Sequence, residues 1–90
     1  MIHAEITLSG VVQGVGFRYF TRQIARAYGV GGFVKNLPNG DVYCEAEAEP
    51  DILGAFVKEL KTGPSMSHVT SVKIDEFKEL QNFEIFEVRF

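Results

Sequence analysis

The chain has 90 residues, 46% of them hydrophobic and 23% charged, a composition that fits one small folded domain over residues 1–90 and excludes both wholesale disorder and two separate cores. No apolar run approaches the ~18–20 residues of a membrane helix, and Met1-Ile2-His3-Ala4-Glu5 lacks the basic and apolar regions of a signal peptide. Nine Lys and Arg against twelve Asp and Glu leave a net charge of −3, a poor match for a surface devoted to nucleic-acid phosphates.

Ile2, Ala4, Ile6 and Leu8 alternate with polar residues, the period of a half-buried strand. Three glycines between Gly10 and Gly16 break that pattern, and the period then changes. Phe17, Phe20, Ile24 and Tyr28 lie on one face of a helix that Gly29 stops. Phe33 to Asn36 reads as a second strand, Leu37-Pro38-Asn39-Gly40 as a turn, and Val42, Cys44, Ala46 and Ala48 as the inward residues of a third strand. Pro50 opens a second helix with Ile52, Phe56, Val57 and Leu60 as its stripe, and Gly63-Pro64 closes it. Val69 to Phe77 gives a fourth strand, with Thr70, Val72 and Ile74 on one face. The parity switch between Phe83 and Phe86 implies a bulge or a break before a short final strand. Two βαβ halves joined by a hairpin describe an α+β, ferredoxin-like split βαβ sandwich: an antiparallel sheet with two helices on one face.

The first strand-to-helix junction is Gly10-Val11-Val12-Gln13-Gly14-Val15-Gly16-Phe17-Arg18. Glycines let the backbone approach a ligand closely, and a helix N-terminus offers unpaired N–H groups and partial positive charge. An anion fits there. A cation in a first turn is disfavoured unless an anion joins it, so Arg18 is a candidate for gripping two phosphate oxygens. Simple tight packing with a solvated arginine is the competing reading. No lysine follows these glycines, so this is not a Walker loop, and Tyr19 stands where a dinucleotide fingerprint needs its third glycine. Asn36, at a strand end, has an amide able to hold a water and an oxyanion together; it could equally serve as a turn residue bonding its own backbone.

Other residues read as ordinary. Arg18, Arg22 and Arg26 form one basic helix face that is expected to be solvated. Lys35 should point away from Asn36. Glu45, Glu47 and Glu49 are expected on a wet sheet face or edge. His3 and His68 stand alone without metal-ligand spacing and are expected at the surface. Cys44, the only cysteine, cannot close an internal disulfide and shares the apolar parity of its strand. A reducing, cytoplasmic compartment is the expectation.

Val12-Gln13-Gly14-Val15-Gly16-Phe17-Arg18, with Gly10 before it, resembles the first signature of acylphosphatases, and Gly32-Phe33-Val34-Lys35-Asn36 followed by Gly40-Asp41-Val42 is similar to their second. The Phe86-Glu87-Val88-Arg89-Phe90 ending also resembles the family's tail. Ala48 departs from it, standing where a glycine usually closes the second signature. The resemblance implies hydrolysis of acyl phosphates to a carboxylate and inorganic phosphate, without metal or other cofactor. It maps the essential arginine onto Arg18 and the essential asparagine onto Asn36. The backbone of Gln13, Gly14, Val15, Gly16 and Phe17 would bind the phosphoryl oxygens beside Arg18, and Asn36 would position the attacking water.

If the last strand pairs beside the first, the Phe90 carboxylate could approach Arg18. Partners are then a small acyl phosphate and its phosphate product, with no nucleic acid and no membrane, and a monomer is expected. The alternative is a non-catalytic phosphate-binding or regulatory module on the same fold. RNA recognition on the sheet is opposed by the acidic charge. A detached domain of a larger carbamoyl-phosphate-handling protein is opposed by a chain that begins at Met1 and stops soon after its last strand.

Overall fold

The structure, a computed structural model, describes every residue from Met1 to Phe90. The elements follow as β1 (Ile2–Val11), α1 (Phe17–Tyr28), β2 (Gly31–Asn36), β3 (Val42–Ala48), α2 (Pro50–Thr62), β4 (His68–Phe77) and β5 (Phe86–Val88). The five strands form one sheet in the order β4-β1-β3-β2-β5. This is the expected ferredoxin-like α+β arrangement. The sheet is mixed, however: β5 runs parallel to β2, pairing Gly32 with Phe86 and Val34 with Val88, while the other ladders are antiparallel. The last strand thus lies beside β2, not beside β1.

Alternation places Ala4, Ile6 and Leu8 of β1 and Val42, Cys44 and Ala46 of β3 on one face, where they join Phe17 and Ala25 of α1 and Leu53, Phe56 and Leu60 of α2 in one buried cluster. A register shift at Ser9/Gly10 breaks the strict parity of β4, so that Val69 and Val72 both pack against this core. In α1 the buried stripe is Phe17, Thr21 and Ala25, and Tyr28 is exposed. Thr21 is tolerated inside because its hydroxyl donates to the Phe17 carbonyl at 2.8 Å. Gly29 ends the helix in the left-handed region, with its N–H directed at the Ala25 and Arg26 carbonyls.

Two side chains expected at the surface are buried: His3 is 3% exposed and Glu47 4%. The cause is the segment between β4 and β5, which folds back over the sheet face that the helices leave open. The N–H groups of Gln81, Asn82 and Phe83 donate to the Glu47 carboxylate at 2.5, 3.0 and 3.4 Å. The Phe83 ring stacks 6.0 Å from that of His3. This segment is also the break behind the parity switch, with Phe83 on the open face and Phe86 in the core. Nor is β3 an edge, because it is the central strand. Burial pushes the Glu47 carboxyl upward, but hydrogen bonds from Gln81, His3, Phe83 and Asn82 outweigh it and hold the group below its ordinary value. Cys44 is fully buried, as its parity implied, and burial followed by the charge of Glu45 pushes its thiol far up.

Candidate active site

β1 and β2 both run antiparallel to β3. Their C-terminal ends therefore open on the same rim of the sheet, bringing the loop after β1 against the turn after β2. Gln13 locks the two together, its Nε2 donating to the Leu37 and Asp41 carbonyls at 2.8 Å each. The turn is independently closed by the Gly40 N–H on the Leu37 carbonyl and by Asn39, whose Oδ1 accepts the Asp41 N–H at 3.0 Å. Asn39, rather than Asn36, thus serves as the turn residue bonding its own backbone.

The loop reaches α1 through Gly14 and Gly16, both left-handed at φ 74° and 76°. Nothing lies within 4 Å of where a Cβ would sit on either, so backbone conformation rather than crowding calls for glycine there. Gly16 is the N-cap of α1, no side chain caps that end, and the first turn holds no acidic residue. The amide dipoles at this end therefore meet no carboxylate from the helix's own first turn.

A cleft of about 150 Å³ opens at this point, lined by Val12, Gly14, Gly16, Phe17, Arg18, Tyr19 and Asn36. The structure thus brings Arg18 and Asn36 together with the glycines of the loop. Val15 packs partly against the core and Phe17 is buried beneath the cleft. Gln13 acts through its side chain in a way the sequence pattern did not reveal, as the clamp between loop and turn. Tyr19, 52% exposed, is a lining residue that sequence reasoning missed; its place next to Arg18 was the only signal.

The rest of the basic face does not converge here. Arg22 lies over the Tyr19 ring, 5.2 Å from its centroid. Arg26 borders a larger hollow of about 550 Å³ beside Glu47, Phe83 and Ile85 at the other end of the sheet. That hollow has the volume but neither the loop nor the helix N-terminus. Lys35 faces the Tyr43 ring at 5.7 Å, on the open face and away from the cleft, as strand alternation required. Arg18 itself is held by the C-terminal residues. Its Nη1 donates to the Arg89 carbonyl at 3.2 Å, and its guanidinium lies 4.4 Å from the centroid of the Phe90 ring.

The family model for acylphosphatase matches residues 4–88. The chain belongs to the acylphosphatase family. It is 49% identical to the acylphosphatase of Archaeoglobus fulgidus over the full length of both chains. It is 40% identical to that of Thermotoga maritima, covering 96% of this chain and 94% of the relative. The crystal structure of acylphosphatase from Bacillus subtilis superposes with a TM-score of 0.98 at 36% identity and full coverage of both chains. Full-length HypF contains a similar region, with a TM-score of 0.85 at 32% identity, but this chain corresponds to only 12% of that protein. The chain is accordingly a hydrolase of acyl phosphates, with a carboxylate and inorganic phosphate as products. No helix in it is long and apolar enough to cross a membrane.

Proposed function

We propose that the acylphosphatase reaction runs in the cleft between the β1–α1 loop and the end of β2, with Arg18 and Asn36 as the catalytic residues. The observation that carries this reading is the meeting of Gly14, Gly16, Arg18 and Asn36 around one small opening at an uncapped helix N-terminus. The backbone N–H groups from Gln13 to Phe17 and the Arg18 fork receive the phosphoryl oxygens. Asn36 orients a water for in-line attack on phosphorus. The P–O bond to the carboxylate breaks as the bond to water forms, and the phosphoryl oxygens take up the water's proton.

The leaving group is a carboxylate whose conjugate acid has a pKa of about 4. It departs without a proton donor, so positioning and charge stabilisation account for the catalysis. The cleft is small, which supports a site that reads the phosphoryl group and leaves the acyl group outside, so that many acyl groups are tolerated. Residues 1–90 are taken to act as one domain, as a monomer in the cytoplasm, with no nucleic acid or membrane partner.

Hydrolysis of a synthetic aryl acyl phosphate at neutral pH in excess chelator tests this reading. Wild-type turnover should survive the chelator, and Arg18→Ala should lower it by at least ~10²–10³. Undiminished turnover in Arg18→Ala would place the chemistry elsewhere. Phosphate affinity without turnover in the wild type would leave a binding module.

A further inference from the structure

The open face of the sheet carries a second constellation, at the opposite end of β1 from the cleft. Glu5 of β1 and Glu45 of β3 are direct cross-strand partners, as are His3 and Glu47. Two carboxylates facing each other across a ladder repel. His3 lies between them, its side chain 4% exposed. Its Nδ1 is 2.8 Å from Glu47 Oε2, and a carboxylate only accepts, so Nδ1 carries a proton.

Nε2 is then directed at the other two acids, 3.4 Å from Glu45 Oε1 and 3.8 Å from Glu5 Oε2. Both separations exceed the roughly 2.7–3.2 Å of a formed N–H···O bond. Two atoms bound tetrahedrally at about 2.0–2.1 Å lie about 3.4 Å apart; the Glu45 oxygen already stands at that spacing from Nε2, and the partly exposed Glu5 oxygen lies a few tenths of an ångström beyond it. One ligand atom from each of His3, Glu5 and Glu45 falls within 4.8 Å of the others. Glu45 is prepared on its far side, where its Oε2 accepts the Tyr43 hydroxyl at 2.7 Å, leaving Oε1 for the site. The Glu47–His3 pair is a carboxylate holding a histidine by Nδ1 so that Nε2 offers its lone pair, which is how proteins orient metal-binding imidazoles.

We propose that His3 Nε2, Glu5 and Glu45 bind one divalent transition-metal ion of the Zn²⁺ class, with Glu47 as the residue that orients His3. One nitrogen and two carboxylate oxygens suit Zn²⁺ better than Mg²⁺ or Ca²⁺. Glu5 is 39% exposed, which gives the ion a way in and leaves room for water as a fourth ligand. The site lies about 25 Å along β1 from the loop, at about 3.3 Å per residue. The ion therefore acts on the sheet, tying β1 to β3 and cancelling the Glu5–Glu45 repulsion, and not on the hydrolysis.

The test is titration of the full chain with Zn²⁺ in phosphate-free buffer at neutral pH, followed by calorimetry, thermal unfolding and the ring-nitrogen NMR signals of His3 and His68. One equivalent should bind, raise the unfolding temperature reversibly on chelation, and shift His3 Nε2 while leaving His68 unmoved; Mg²⁺ should do none of this. Glu5→Gln and Glu45→Gln preserve size and the His3–Glu47 contact, and each should weaken binding at least tenfold. His68→Gln should not change it. Absence of saturable binding, binding that both glutamine variants retain, or binding lost in His68→Gln would each overturn the proposal.

Discussion

The Arg18 guanidinium rests 4.4 Å from the centroid of the Phe90 ring. The residue assigned to grip phosphate is thereby held by the last residue of the chain. The main chain contributes too, through the Arg89 carbonyl, which accepts from Nη1 at 3.2 Å. The terminal strand delivers these groups from its place beside β2. Phe90→Ala removes the ring and keeps the carbonyl. An exposed cation–π contact corresponds to about two- to fivefold in an equilibrium, so kcat/KM should fall by about that factor with unfolding unchanged. Deleting both Arg89 and Phe90 should cost more. Steady-state kinetics beside a urea titration of each variant checks this.

Asn36 should separate binding from chemistry. Asn36→Ala removes the group that orients water but leaves Arg18 and the loop intact. Inhibition by inorganic phosphate should remain within a few-fold of wild type while kcat falls by at least ~10². A weakened phosphate constant with normal kcat would assign Asn36 to binding instead.

Gln13 connects loop and turn through two hydrogen bonds of 2.8 Å. Gln13→Ala leaves the Leu37 and Asp41 carbonyls without this donor. The expected loss of stability is about 1–3 kcal/mol, read as a lower urea midpoint at unchanged slope. Activity should fall as well, because the same clamp sets Asn36 against Gly14 and Gly16.

The buried Glu47 carboxylate gives stability a defined pH dependence. Its folded value lies below its unfolded one. The stabilisation is therefore fully present above the unfolded value of about 4.3 and is lost as pH falls through the folded one. Wild-type stability should decline on acidification below about pH 4.5. Glu47→Gln should be less stable at neutral pH and show a shallower decline over that range. Urea unfolding at several pH values checks both.

Much of the fold was legible because its signals are local. The alternation of Ile2 to Leu8, the Asn39-Gly40 turn and the glycines that bracket α1 each decide their own neighbourhood. Arg18 and Asn36 were legible because a loop and a strand end carry them in short motifs. The burial of His3 was not, since its cover comes from Gln81 to Phe83, far along the chain and without regular structure. Parity alone cannot separate Glu45 from Glu47, which share a face, because only Glu47 lies beneath that segment. The parallel pairing of β5 escaped for a similar reason: three residues carry too little pattern to choose a neighbour.

Cys44 sits on the central strand, fully buried beneath the helices, with its thiol held strongly protonated. A thiol in that state does not react with alkylating reagents until the sheet itself opens. As the only cysteine in the chain, it is a built-in clock for global unfolding. Its labelling rate, followed by mass spectrometry under native conditions, would report how often the whole core comes apart, with no probe engineered into the protein.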